Sequence, residues 1–364
     1  MRSGRSRSIL ITGGAGFIGS NLAERLLAEP GTHVRLFDNL SRSGVQHNLD
    51  WLRSLPGHNR LEFVKGDVRD PTSVAEAVRD VSEIYHLAAQ VAVTTSVADP
   101  RSDFDINALG TLNVLEAARK SIRRPFLLFT STNKVYGSLE NVPVAIEDTR
   151  YRAADLTFRG VDESQLLDFH SPYGCSKGSA DQYVRDYARI YNLPSVVFRM
   201  SCIAGPRQFG NEDQGWVAHF LYSVLEGKQI TVYGDGFQVR DVLHVSDLLD
   251  AMQAAFCNTS QTSGEVFNLG GGPERAVSVI EMLRTIGRET GKEPRLHYRE
   301  VRPGDQPLYI SNTAKLSAAT GWHPRYSLNE ILKSIEIFWK QNRDLISSQR
   351  APEIAADLVA EVVA

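Results

Sequence analysis

Three glycines at three-residue spacing, Gly13, Gly16 and Gly19, follow the apolar run 9–11 and Thr12, with Phe17 and Ile18 between the last two. This run has the period of a buried strand, and the residues after it have the period of a helix: Ile18, Leu22 and Leu26 recur on one face. A strand, a glycine turn and a helix in this order admit few folds. The glycines let the turn tighten, let a diphosphate approach the backbone, and let the helix pack on the strand. The free N–H groups of the helix start then face the phosphates.

The same rhythm continues. Apolar runs at 9–12, 34–38, 61–67, 83–88, 126–131 and 196–200 alternate with helix-length amphipathic segments. The runs are apolar on both faces, as strands covered by helices on both sides must be. This pattern predicts an α/β fold: a Rossmann-type doubly wound parallel sheet. After about residue 199 the rhythm breaks and Gly and Pro become denser. Segments 229–233 and 296–302 predict a smaller mixed α/β lobe, and the chain is expected to revisit the sheet at 242–249 and 266–269. The expected division is a dinucleotide unit over 7–200, rejoined over 241–270, a substrate lobe over 201–240 and 271–342, and a tail over 343–364.

Asp38 ends the second run, 22 residues past Gly16. An acid there can bind both hydroxyls of an adenosine ribose and disfavours a 2′-phosphate, so the predicted cofactor is NAD rather than NADP. Arg42, close by, could neutralise a phosphate and argues the other way. Asp67, beside Val68, ends the third run, where its carboxylate could accept from an adenine amino group. Leu87, Ala88 and Ala89 end the fourth, where small side chains let a cofactor backbone pass. All lie at carboxyl ends of successive strands, where such folds bind ligands.

Tyr173 and Lys177 stand four residues apart after Ser171-Pro172, a helix-start signal, so they share one helix face. An ammonium beside a phenol favours phenolate and lowers the tyrosine towards working pH. The phenol can then take a proton from an alcohol and return it. Thr132 closes the fifth run within the frame S-T-x-x-V-Y-G and can hydrogen-bond the same alcohol.

The net charge of −3 favours neither nucleic acid nor an anionic membrane. No stretch approaches a membrane span. Cys175, Cys202 and Cys257 show neither metal-ligand spacing nor a disulfide framework, which points to a reducing cytoplasm and no metal site.

With these motifs in this order, residues 8–340 resemble the extended short-chain dehydrogenase/reductase superfamily, in its nucleotide-sugar epimerase/dehydratase branch. The resemblance implies that Thr132 orients a sugar hydroxyl, that Tyr173 is the acid/base, and that Lys177 also holds the nicotinamide ribose. It extends the cofactor contacts to Phe17, Ile18, Asn39, Ser41 and Asn107, the last of which could equally be a helix-bending polar residue. On the sugar-nucleotide side it implies Gln90, Asn133, Lys134, Arg207, Gln214, Val217 and Tyr233. Arg240 and Arg302 would grip the diphosphate and Asp305 a nucleotide ribose; guanidinium forks suit phosphate oxygens.

The 4,6-dehydratases of that branch read T-D-E-V-Y-G, with Asp as acid and Glu as base. Here Asn133 and Lys134 fill those places. Asn has no usable proton equilibrium and Lys is ordinarily a charged donor, so the dehydratase reading lacks its machinery. The STNKVYG frame, the block 167–183, and RQFG, EDQGW and QVRDVLH resemble the 2-epimerases of CDP-linked dideoxyhexoses. That likeness implies oxidation at C2 to a 2-keto sugar nucleotide of the paratose-to-tyvelose type, then hydride return to the other face. Gly205-Pro206 and the stretch 150–163 depart from the pattern. The alternatives are a 4-epimerase of a UDP- or CDP-hexose, and a non-catalytic NAD-binding protein on the same fold. The resemblance also implies a homodimer or homotetramer built on the Asn107 and Tyr173 helices.

Overall fold

The computed structural model describes residues 7–302 and 305–349. Seven strands form its principal sheet: β1 (Arg7–Thr12), β2 (Thr32–Asp38), β3 (Leu61–Lys65), β4 (Glu83–His86), β5 (Phe126–Thr132), β6 (Ser195–Met200) and β7 (Val266–Leu269). Every pairing is parallel, in the order β7-β6-β5-β4-β1-β2-β3. The strand order reverses between β1 and β4, so the loops leaving their carboxyl ends part and open a crevice.

Alternate side chains feed two cores, one on each sheet face. Ile9, Ile11, Leu128, Val196 and Phe267 pack under the helices Phe17–Leu27 and Val245–Cys257. Leu10, Leu127, Phe129 and Val197 pack under Pro71–Val78, Gly110–Lys120 and Ser171–Tyr191. All seven residues of β5 are buried. The expectation of two apolar faces fails for β3: as the edge strand it has a single neighbour, and Glu62 and Lys65 are exposed. Strands β3 and β4 also end two residues earlier than expected, at Lys65 and His86, because 66–68 and 87–90 turn away to line the crevice.

The mixed lobe is present. Strand Val239–His244 pairs with Cys202–Ala204, Ala276–Ser278 and Leu308–Tyr309, and Gln229–Tyr233 pairs with Arg295–Arg299. A third core lies here, with helices Trp216–Glu226, Val279–Thr290 and Leu328–Gln341 around Leu221, Tyr222, Leu283 and Ile335. The segment 266–269 rejoins the principal sheet as β7, but 242–249 does not. Its strand half stays in the lobe sheet; at His244, whose Nδ1 accepts the Ser246 N–H (3.1 Å), the chain turns into helix Val245–Cys257. Leu248, Leu249, Met252 and Ala255 recur at helical spacing, so this segment rejoins the first unit as a helix under the sheet. Arg25 secures it to the first helix through Asp250 (2.6 Å). Of the expected tail, 343–349 is helical and 350–364 lies outside the described residues.

Candidate active site and dinucleotide crevice

The glycine turn is as tight as its sequence demands. Gly13 adopts a positive φ of 66° and its N–H donates to Phe37 O (2.8 Å). A Cβ on Gly13 would lie 2.8 Å from Ala88 N, and one on Gly19 would lie 2.4 Å from Gly13 O. Backbone alone can fill this cradle. The first helix starts at Phe17 with no capping side chain, which leaves its first N–H groups available to an anion. Phe17 and Ile18 therefore contribute main chain here. Thr12, which the sequence reading passed over, anchors the floor: its hydroxyl accepts from Leu87 N and Ala88 N (both 3.2 Å) and pairs with His86 Nδ1 (2.7 Å).

Asp38 lines the crevice with Asn39, Ser41 and Arg42. Its oxygens accept from Ala15 N (3.1 Å) and Leu40 N (2.8 Å), and burial raises its carboxyl despite those bonds and Arg42. Asp67 also lines the crevice with Val68, but its carboxylate is occupied. Arg69 grips it at 2.9 and 2.8 Å and Asn39 Nδ2 donates at 2.9 Å, so Asp67 ties the β2 and β3 ends together and is held far below the usual carboxylate range. The expectation of an open acceptor for adenine is corrected to that extent. Ala88, Ala89 and Gln90 form the opposite wall. Gln214, expected on the sugar side, lines this crevice too and is hydrogen-bonded to Arg42 across it.

The reacting end lies at the end of β5. Thr132 Oγ1 accepts the Lys134 N–H (3.2 Å), which starts the short helical turn Asn133–Tyr136, and shares a hydrogen bond with Tyr173. Tyr173 and Lys177 share a face of helix Ser171–Tyr191 and are 8% and 2% exposed. The Lys177 ammonium lies 4.1 Å from the centroid of the Phe129 ring. Burial pushes the Lys177 ammonium down to about 7 and the Tyr173 phenol up to about 12. This corrects the expectation of a phenolate favoured by Lys177. Desolvation dominates both groups, and the groups that favour Tyr173 ionisation are Thr132 and Arg42.

Asn107 is buried within a π-turn, Asp105–Leu109, inserted in the helical run 100–120. It exchanges hydrogen bonds with the Gln90 main chain (both 3.0 Å) and donates to Asp103 and Ser176 (both 3.1 Å). It thus touches the wall of the crevice rather than lining it. Asp103 and Ser176 were not singled out in the sequence. The signal was there, four residues before Asn107 and between Tyr173 and Lys177.

Asn133 donates to Gln306 Oε1 (3.1 Å), and Gln306 donates to Gly137 O (2.5 Å), a clasp across the lobe that the sequence reading missed. Lys134 and Arg240 converge on one Asp305 oxygen, at 3.6 and 2.6 Å. Burial, with Arg240, brings Lys134 down to about 8; the two cations hold Asp305 below its usual range against burial. Arg302 lies 3.8 Å from the Tyr233 ring centroid and pairs with Glu212 (3.6 Å) and Asp213 (3.3 Å). Tyr233 donates to the same Glu212. Two expected residues stand apart. Arg207, at a positive φ of 67°, stacks on Trp51 and beside Phe338, and Val217 is buried in the lobe core. Each is held by packing that its sequence motif did not reveal.

The family described as GDP-mannose 4,6 dehydratase matches residues 10–335. The chain is 44% identical over 329 residues to CDP-paratose 2-epimerase of Salmonella typhi, covering 88% of this chain and 96% of that protein. Among solved structures it is similar to UDP-glucuronic acid 4-epimerase from Bacillus cereus in complex with UDP-glucuronic acid and NAD: TM-score 0.78, 27% identity, 92% and 99% of the two chains. It is also similar to dTDP-glucose 4,6-dehydratase from Bacillus anthracis str. Ames in complex with NAD: TM-score 0.78, 30% identity, 94% and 99% of the two chains.

Proposed function

We infer, from the premise that the chain belongs to the GDP-mannose 4,6 dehydratase family of NAD-dependent epimerases and dehydratases, that it is an NAD-dependent nucleotide-sugar epimerase acting at C2 of a CDP-dideoxyhexose. One observation carries the choice of epimerase: Thr132, Tyr173 and Lys177 are assembled, while Asn133 and Lys134 stand where dehydration needs an acid and a base. The 44% identity to a CDP-paratose 2-epimerase supports both the C2 centre and the cytidine base.

The cradle at Gly13 and the acid at Asp38 fit a dinucleotide, which the turn would hold by its diphosphate and Asp38 by its ribose. When bound, NAD⁺ accepts a hydride from the sugar carbinol and returns it. Thr132 orients the hydroxyl, and Tyr173 takes its proton and gives it back. Lys177, on the same helix face, would hold the nicotinamide ribose, and Thr132 and Arg42 favour the charge that develops on the phenol. Lys134, Asp305, Arg240 and Arg302 form the sugar-nucleotide side. Phosphate oxygens compete there with Asp305, Glu212 and Asp213 for the guanidinium groups.

Incubated with CDP-paratose in heavy water, the protein is expected to form CDP-tyvelose without deuterium at C2, because the hydride stays on the cofactor between the two transfers. Deuterium at C2 sinks the hydride mechanism. Faster turnover of UDP-glucose to UDP-galactose than of any CDP sugar decides for the 4-epimerase reading, which the likeness to UDP-glucuronic acid 4-epimerase favours. Lys134→Ala is expected to raise KM about tenfold with a smaller loss in kcat, since it removes a charged donor and leaves Asp305 to Arg240. Unchanged constants reject a sugar contact for Lys134.

Among the described residues no helix is long and apolar enough to cross a membrane. The three free cysteines support a cytoplasmic setting. Phe104 and Leu109 on one helical run, with Tyr183, Ile190 and Tyr191 on its neighbour, expose large apolar side chains and support a homodimer.

A further inference from the structure

Asp103 is 1% exposed and plays no part in the mechanism above. Its Oδ2 accepts from Ser176 Oγ at 2.5 Å. Its Oδ1 accepts from Gln90 Nε2 and from Asn107 Nδ2, both at 3.1 Å. Three segments thus converge on one carboxylate: the wall of the crevice, the π-turn and the catalytic helix. All three donors are neutral, and a buried carboxylate held only by neutral donors calls for a cation nearby.

Lys177 is a buried ammonium that calls for an anion. Two carboxylates act on it, Asp181 and Asp103. Asp181 is already matched: Arg199 grips it with two bonds, at 2.8 and 2.9 Å. Asp103 has no such partner in direct contact among the described residues, and it acts on Tyr173 as well as on Lys177. We propose that Asp103 is a positioning residue, the buried counter-charge that sets the charge state of the Tyr173–Lys177 pair from behind Ser176. The inference rests on the reading of that pair as the catalytic one.

The other charged groups around the cluster do not supply this charge. Asp105, on the same helical run, is paired with Arg101 (3.0 Å). His86, at the β4 end, is held neutral by burial and by Lys177. Arg42 acts on Tyr173 from across the crevice and is a cation. Helix Val93–Ala98 carries no titratable side chain. Removing the Asp103 charge therefore has one sign for both members of the pair. The ammonium loses a stabilising anion and the phenolate loses an opposing one, so both ionisations move to lower pH.

The test is Asp103→Asn in the NAD-loaded protein, read two ways. Lysine side chains labelled with ¹³C at Cε, with the Lys177 signal assigned through Lys177→Arg, should show the Lys177 titration midpoint lowered by about one pH unit. The kcat/KM profile should move to lower pH as a whole. Ser176→Ala, a mild change inside an intact helix, weakens the hold on the carboxylate and should move both readouts the same way by less. It serves if Asp103→Asn fails to fold. An unshifted Lys177 midpoint with only a lower kcat means that Asp103 is structural and overturns the inference. Full activity in Tyr173→Phe overturns the reading of the pair instead, so the two failures are distinguishable.

Discussion

Tyr173→Phe is expected to lower kcat by about 10²- to 10⁴-fold while leaving KM and the melting temperature nearly unchanged. The ring is buried, so phenylalanine keeps its packing and loses only the hydroxyl. Thr132 keeps its bond from the Lys134 N–H, so the strand end stays in place. What disappears is the group that can carry the alcohol proton while the hydride leaves. Steady-state rates with a CDP-dideoxyhexose, together with the change in nicotinamide absorbance on mixing, check this directly. A variant within about threefold of the parent in kcat would remove Tyr173 from the chemistry.

The second large effect is on stability. Arg199→Met is expected to cost about 3–5 kcal/mol, because it leaves the Asp181 carboxylate buried without its cation. Arg199 and Asp181 are 3% and 0% exposed, and the same guanidinium also donates to the Tyr136 hydroxyl at 3.0 Å. Tyr136 in turn donates to Asn268 (2.7 Å). The arginine thus joins β6, the turn after β5, β7 and the catalytic helix. Urea unfolding would read the loss, and adding Asp181→Asn should recover part of it, since no unmatched charge then remains. A single-variant cost below about 1 kcal/mol would mean that water or a neighbour compensates Asp181.

What the sequence revealed was what short spacing encodes. Gly13, Gly16 and Gly19, and Tyr173 with Lys177, rely on residues close along the chain, and Asp38 meets the glycine turn at Ala15 N from the end of the next strand. Burial was not legible. Spacing placed an ammonium and a phenol on one helix face but could not say that both lose their water, which dominates the ionisation of each. Long-range partners were equally hidden. Nothing around Arg207 points to Trp51, nothing around Arg302 to Glu212 and Asp213, and nothing around Asp181 to Arg199. The segment 242–249 misled for a related reason: a short apolar run suits a strand or a buried helix, and only the sheet it met decided which half became which.

The π-turn at Asp105–Leu109 has an implication for how this chain can vary. Such a turn holds one residue more than an α-turn, so the surplus residue bulges out and the flanking helical faces keep their register. In helix Gly110–Lys120 a one-codon deletion would swing every later side chain by about 100° and pull Val114, Leu115 and Ala118 from the core. Inside the π-turn the same deletion would leave a plain α-helix with both flanks in place and would remove the bulge that seats Asn107. Length variation at this point separates folding from activity. A shortened chain keeps its architecture and loses the junction between crevice wall and catalytic helix.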